Sequence, residues 1–162
     1  MSLCIMTLPV TAESSNMPAE CAAPTFTTDF MVRYAETDAM GVVHHANYLV
    51  YFEEGRSHYM RTLGADYAEF EAAGYQLPVT ETGLRYAGSL RYGSRVCVST
   101  RVLESKSRSL HFTYEVSVLG HPKVLVTGFT KHVWTDLDGG VCRAPAKWGI
   151  LLKNFSDTTA TV

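Results

Sequence analysis

The sequence predicts an α+β domain, a five-stranded antiparallel sheet wrapped around one long helix. Three observations predict it. Apolar residues recur at helical spacing over one early stretch. They then alternate strictly through most of the second half. The resulting order is strand, helix, short helix and four strands, which places helices on one side of an antiparallel sheet. A length of 162 residues suits one domain with one core, and 46% hydrophobic with 19% charged residues is a globular composition.

The first strand is expected over Thr25–Tyr34, where Thr27, Phe30 and Val32 favour extended backbone. It ends in the polar turn Ala35-Glu36-Thr37-Asp38 and a glycine, Gly41. The main helix is expected over Asn47–Leu63, with Asn47 as N-cap and Gly64 just past its end. Its stripe reads Leu49, Phe52, Arg56, Tyr59, Met60 and Leu63. Gly55 costs that helix about 1 kcal/mol relative to alanine, which implies that another backbone approaches there. A short helix follows, with Asp66 as its cap and Glu69 completing a capping box, and it ends near Gly74.

Beyond Gly74 the period is two. Strands are expected over Leu77–Tyr86 and over Val96–Leu103, the latter with Val96, Val98, Thr100 and Val102 on one face. The next alternates through Leu110, Phe112, Tyr114, Val116 and Val118. Leu119–Lys123 reads as a turn, Val124–Thr135 as the last long strand, and Asp138-Gly139-Gly140 as a further turn. Edge strands of such a sheet invite pairing with a second copy. One domain is expected over 25–155, preceded by a loosely ordered extension (1–24) and followed by a short tail (156–162).

Charge and cysteines narrow the function. The net charge of -2 and a pI near 6.3 provide no basic face for nucleic acid. Cys4, Cys21, Cys97 and Cys142 are scattered without a CxxC pair, so reduced thiols are expected and a disulfide framework or zinc site is not. Residues 1–32 hold no Lys or Arg and include Glu13, Glu20 and Asp29, unlike a secretory or mitochondrial leader. The apolar run Leu3–Val10 is too short to span a bilayer, so no membrane association is expected and the expected location is the cytoplasm.

The densest chemistry lies in Tyr34–Glu54. Asp38 follows a strand, Gly41 permits a sharp turn, and His44, His45 and Ala46 lead into the helix. A helix N-terminus presents free N–H groups and the positive end of a dipole, which stabilises the oxyanion formed when a carbonyl is attacked. A carboxylate opposite those donors attacks the carbonyl or deprotonates the water that does. Acyl transfer suits this geometry. Asp38 also has a plainer reading as a turn residue, one histidine as a core residue, and Glu53 and Glu54 as a solvated face. His44 and His45 are not expected to form a metal pair, because consecutive residues point different ways and HExxH spacing is absent.

Read as R-Y-x-E-T-D-x-x-G-V-V-x-H-x-x-Y from Arg33 to Tyr48, this segment resembles the 4-hydroxybenzoyl-CoA thioesterase family of hotdog-fold proteins. In particular it resembles the branch that contains the Tol-Pal-associated acyl-CoA thioesterases. The resemblance extends more weakly over Thr25–Leu152, through Pro78-Val79, Leu84-Arg85-Tyr86, Arg108-Ser109-Leu110 and Gly128–Val133. It implies an antiparallel sheet around one long helix, paired edge to edge as a homodimer or homotetramer with the active site between subunits. It implies hydrolysis of an acyl-CoA without metal or cofactor, with Asp38 as nucleophile or general base. His45 would polarise the thioester carbonyl through its backbone N–H, and its imidazole is implicated too. Gly41, Val42 and Val43 would shape the site, and Arg108 and Ser109 would meet the CoA nucleotide. Where the family often has Pro-Ala-Arg-Phe-Gly-Asp, this chain has Ser89-Leu90-Arg91-Tyr92-Gly93-Ser94, without the proline and the acid. Competing readings are a hydratase or dehydratase on the same fold, and a non-catalytic acyl-CoA sensor. The first lacks its helix-start motif, and the second usually carries a DNA-binding module that this chain has no room for.

Overall fold

The computed structural model describes residues 23–156. The expected extension and tail therefore lie outside the described residues, apart from their innermost positions. Five strands form one antiparallel sheet: β1 Phe26–Met31, β3 Val79–Tyr86, β4 Arg95–Ser105, β5 Ser109–Val118 and β6 Val124–Val133. Their order across the sheet is β1-β4-β5-β6-β3, so β1 and β3 are its edges. The expected α+β class and the five-strand count hold.

The expected single long helix does not describe the whole molecule. Three helices are present among the described residues: α1 Asn47–Thr62, α2 Tyr67–Ala72 and α3 Ala146–Asn154. α1 lies on the sheet and buries Tyr48, Tyr51, Phe52, Gly55, Tyr59 and Met60. That stripe is shifted from the expected one, because Leu49 remains exposed and the tyrosines face inward. α3 was not foreseen. It follows Pro145 and buries Trp148 and Leu152, an i, i+4 pair too short to stand out as a periodic pattern. Phe70 of α2 lies between Trp134 and Trp148, with ring centroids at 5.1 and 5.8 Å.

The sheet supplies the other half of the core. Val96, Val98, Thr100 and Val102 of β4 are buried together, as their alternation predicts, and so are Leu110, Phe112, Tyr114 and Val116 of β5. Phe52 stacks on Tyr114 at 4.2 Å with planes 6° apart. Gly55 explains how α1 comes so close. A Cβ there would lie 2.5 Å from Thr100 Oγ1 and 2.9 Å from Val98 Cγ1. Side chains of β4, and not the backbone expected from the sequence, are what approach it.

Several boundaries move for physical reasons. β1 stops at Met31, and Tyr34–Glu36 form a 3-10 turn in place of the expected strand end. Ala46, not Asn47, is the N-cap of α1, and the Asn47 amide donates instead to the Glu36 carbonyl at 2.7 Å. At the other end Gly64 adopts φ +72, and the Gly64 and Ala65 N–H groups close back onto Arg61 and Met60 carbonyls. This is the C-terminal glycine motif the sequence predicts. Asp66 caps α2 through the Ala68 N–H at 3.1 Å, but Glu69 bonds Lys147 of α3 and does not close a capping box. The long strand expected over Val124–Thr135 divides. Thr135-Asp136 become β7, which pairs with β2 (Tyr75-Gln76) in a separate two-stranded sheet.

Candidate active site

The site begins where β1 gives out. Thr37 and Val43 form an antiparallel bridge, and Asp38 lies at the start of the four-residue turn between them. The Asp38 N–H donates to the Val42 carbonyl and the Gly41 N–H to the Asp38 carbonyl, both at 2.9 Å. Gly41 has φ +69, the left-handed region in which a side chain is strained, and so completes the turn. The Asp38 carboxylate accepts the Met40 N–H through Oδ1 at 2.8 Å. Its other oxygen, Oδ2, meets no donor among the described residues.

The chain then passes straight into α1. The His44 N–H donates to the Glu36 carbonyl at 2.8 Å, and the Asn47 N–H to the His44 carbonyl at 2.9 Å. Among the described residues the His45 N–H has no acceptor, while its carbonyl receives the Tyr86 hydroxyl at 3.1 Å. Asp38, Gly41, Val42, Val43 and His45 are thus brought together on one tight loop at the start of α1. A free N–H at a helix start suits a developing oxyanion, and a half-buried carboxylate with an uncommitted oxygen suits attack or proton removal. The two imidazoles were expected to point apart. Instead they lie against each other in a tilted arrangement, with centroids 4.1 Å apart and planes 36° apart. Among the described residues no three His, Cys, Asp or Glu side chains converge as a metal group would need.

The loop is supported by residues that local pattern did not select. Val43 N–H donates to the Leu90 carbonyl at 2.8 Å, and Arg91 donates to the Gly41 carbonyl at 3.3 Å. Arg91 thus contacts the Asp38 turn itself, although its segment departs from the family pattern. Tyr34 and Tyr92, both exposed, meet edge to face at 5.7 Å beside it. Glu36 is buried, only 5% exposed. Burial raises its carboxyl pKa. The Arg33 N–H, the Arg33 side chain and the Tyr51 hydroxyl outweigh that and hold it below the usual value. Tyr51 is in turn pushed upward by burial and by Glu36. Leu90 and Arg91 lie more than forty residues from the loop they hold, so only the fold could find them. Glu36 sits inside the motif, but its environment was invisible there.

Arg108 and Ser109 do not join this loop within one chain. They stand at the β4–β5 turn, where the Arg108 carbonyl accepts the Trp134 N–H at 2.9 Å. The Asp38 loop stands at the other end of the sheet, where the Val32 N–H bonds the Ser94 carbonyl just before β4. β4 covers eleven residues, Arg95–Ser105. At about 3.3 Å per residue the two ends are about 30 Å apart. A cleft of ≈ 330 Å³ does open beside the loop, lined by Phe30, Arg33, Glu36, Val50, Tyr51 and Glu54 among others, but Asp38 and His45 do not line it.

Known proteins place this architecture. The profile of the thioesterase-like superfamily matches residues 32–155. A putative acyl-CoA thioesterase of Bacillus subtilis is 39% identical over 85 residues, 52% of this chain and 62% of that protein. The chain thus spans less than two thirds of that relative's length. A hypothetical protein from Thermus thermophilus superposes with a TM-score of 0.76 at 39% identity, covering 82% of this chain and 98% of that one. A DHNA-CoA thioesterase from Staphylococcus aureus superposes with a TM-score of 0.75 at 31% identity, covering 78% of this chain and 87% of that one. A five-stranded antiparallel sheet with α1 laid across it is the hotdog architecture these proteins share, and the chain belongs to the thioesterase-like superfamily.

Proposed function

We propose that this chain is a thioester hydrolase that cleaves an acyl-CoA to free acid and CoA, with Asp38 as nucleophile or as general base on water. The observation that carries this reading is the short loop into α1 that carries both Asp38, whose Oδ2 meets no donor among the described residues, and the His45 N–H, which meets no acceptor among them. The helix end and that N–H polarise the thioester carbonyl, and Asp38 delivers the attack. Gly41, Val42 and Val43 shape the turn that aims it. The names of the similar proteins from Bacillus subtilis and Staphylococcus aureus support the same chemistry. The motif over Arg33–Tyr48 supports the 4-hydroxybenzoyl-CoA thioesterase type, in its Tol-Pal-associated branch. The catalytic domain is 25–155, residues 1–24 and 156–162 lie outside it, and the site of action is the cytoplasm.

The complete site takes two copies. β3 is an edge strand with Val79 and Tyr86 exposed. Antiparallel pairing of β3 with the same strand of a second copy brings the partner's β4–β5 turn to the end of the sheet that holds the Asp38 loop. Arg108 and Ser109 then serve the neighbour's active site, by gripping the phosphates of CoA. A homodimer is the smallest such unit, and a homotetramer is two of them.

Thiol release from a panel of acyl-CoAs tests the activity: short aliphatic, long aliphatic, benzoyl, hydroxyphenylacetyl and dihydroxynaphthoyl. Release from at least one member is expected, and the preferred one identifies the acyl group. No release from any member, with CoA still bound, would sink the hydrolase reading. Arg108→Ala is expected to raise KM more than it lowers kcat, since phosphate contacts act equally in ground and transition states. An unchanged KM dismisses that role.

A further inference from the structure

We propose that Glu36 is a positioning residue of this site, tying the Asp38 turn to the body of α1 through its carboxylate and holding the segment before the His45 N–H through its carbonyl. The proposal rests on the hydrolase reading for its kinetic arm and stands on geometry alone for its structural arm. The Glu36 carboxylate accepts three hydrogen bonds. Oε2 takes the Arg33 N–H at 2.8 Å and the Tyr51 hydroxyl at 2.9 Å, and Oε1 takes Arg33 Nε at 2.8 Å. The Arg33 guanidinium also pairs with Oε1 through Nη2 at 2.7 Å. The carbonyl of the same residue accepts the His44 N–H at 2.8 Å and the Asn47 side-chain amide at 2.7 Å.

These donors come from both sides of the Asp38 turn. Arg33 is where the chain leaves β1. Tyr51 lies one turn into α1, and Asn47 is its first residue. His44 directly precedes the N–H assigned to the oxyanion. Thr37 and Asp38 directly follow Glu36 itself. One residue therefore fixes, through its two ends, both the segment that leads to Asp38 and the start of α1 that follows it. Displacement of a reacting group by about 1 Å costs on the order of 10²-fold in rate, so a clamp of this kind acts on kcat. Glu36 is 5% exposed, and both oxygens of its carboxylate are already taken by Arg33 and Tyr51, so its role is to hold the loop and not to react.

A neutral isostere separates this role from simple packing. In Glu36→Gln the side chain keeps its shape, but its amide NH2 must face either the Arg33 N–H or the Arg33 guanidinium. Both are donors, so one contact becomes a repulsion in either orientation. The loop is expected to shift while the core, which Glu36 does not pack, stays formed. Arg33→Met removes the guanidinium from one side and lets the glutamine oxygen take the backbone N–H of position 33 and the Tyr51 hydroxyl. That second change is expected to restore part of the lost rate.

The experiment measures kcat, KM and backbone amide hydrogen exchange in the full chain, on the acyl-CoA that the panel selects. Glu36→Gln is expected to lower kcat about 10- to 100-fold, with KM within about 3-fold of wild type. The His44 amide is expected to lose protection selectively, while amides of β4 and β5 keep theirs. Unchanged kcat together with unchanged His44 exchange overturns the proposal. So does a uniform loss of protection with normal kcat per folded molecule, which is what packing alone would give. If Glu36→Gln does not fold, Tyr51→Phe removes a single donor and keeps the charge. It is expected to lower kcat severalfold with selective exposure of the His44 amide, and a silent Tyr51→Phe overturns the clamp. If no acyl-CoA is turned over by the wild type, the hydrolase reading has failed, and the His44 exchange in the same variants still decides whether Glu36 holds the loop.

Discussion

Asp38→Asn is expected to lower kcat on the order of 10²- to 10⁴-fold, or about 3–5 kcal/mol of barrier, and to leave stability nearly unchanged. The asparagine keeps the oxygen that accepts the Met40 N–H at 2.8 Å, so the turn retains its internal bond. What it loses is the negative charge and the lone pairs of Oδ2, the oxygen without a donor in the described structure. An amide neither attacks a thioester nor deprotonates water, so the loss falls on turnover. CoA product binding is expected to persist, because Asp38 contributes to the carbonyl end and not to the nucleotide end. Asp38→Ala is expected to lose as much turnover, with a small added loss of stability from the broken Met40 bond. A single turnover in ¹⁸O-water tests the nucleophilic role: label recovered in Asp38 means a covalent acyl intermediate that water opened at the Asp38 carbonyl. Wild-type kcat in Asp38→Asn would remove this residue from the chemistry.

The fold itself is expected to lose about 3 kcal/mol as the pH falls from 6.5 to 4, because of His132. This side chain is 1% exposed at the inner face of β6. Burial is the main cause that holds its pKa down, to about 4, with the Leu77 carbonyl opposing and Arg56 assisting. Its hydrogen bonds define one neutral tautomer. Leu77 O at 3.0 Å only accepts, so Nδ1 carries the proton. Nε2 then accepts the Thr130 hydroxyl at 2.8 Å, and Thr130 accepts the Tyr114 hydroxyl at 2.6 Å. A second proton on Nε2 reverses that chain and places a charge in the core. The unfolded chain takes up its proton near 6.5 and the folded one only near 4. Stability is therefore complete above pH 6.5 and declines through that window. Glu36, held below the usual carboxyl value, adds a further loss at lower pH. His111 is also held down, by burial and by Lys131, and adds to the slope in the same direction. The decisive comparison is therefore between wild type and His132→Leu in urea unfolding at pH 7.5 and 4.5. His132→Leu is expected to be less stable at neutral pH and to show a much flatter dependence on pH. Equal slopes in the two proteins would show that His132 is not the group responsible.

The sheet was legible in the sequence because alternation is a local property. Val96, Val98, Thr100 and Val102 occupy the inner face their period assigns, and the five strands follow from five such runs. The end of α1 was legible for the same reason, since Gly64 at φ +72 is a requirement of one residue's own backbone. α3 was not, because Trp148 and Leu152 make only one helical repeat, and Trp148 packs on Phe70, distant in the chain. The start of α1 was misplaced by one residue because the Asn47 side chain was drawn away by a carbonyl eleven positions earlier.

The same division runs through the candidate site. The sequence by itself determined the loop: the Asp38 turn needs a glycine at Gly41, and a helix must begin after His45, so a carboxylate and a helix start are bound to meet within a few residues. Only the tertiary structure decided what holds that loop in place. Leu90, Arg91 and Tyr86 reach it because β3 ends, and the chain turns toward β4, at the same end of the sheet as β1. It also decided that Arg108 and Ser109 stand about 30 Å away, across the length of β4. Spacing along a chain records which backbone turns and faces are available. Which distant groups fill them depends on how strands pair, and that pairing is fixed by the packing of the whole core.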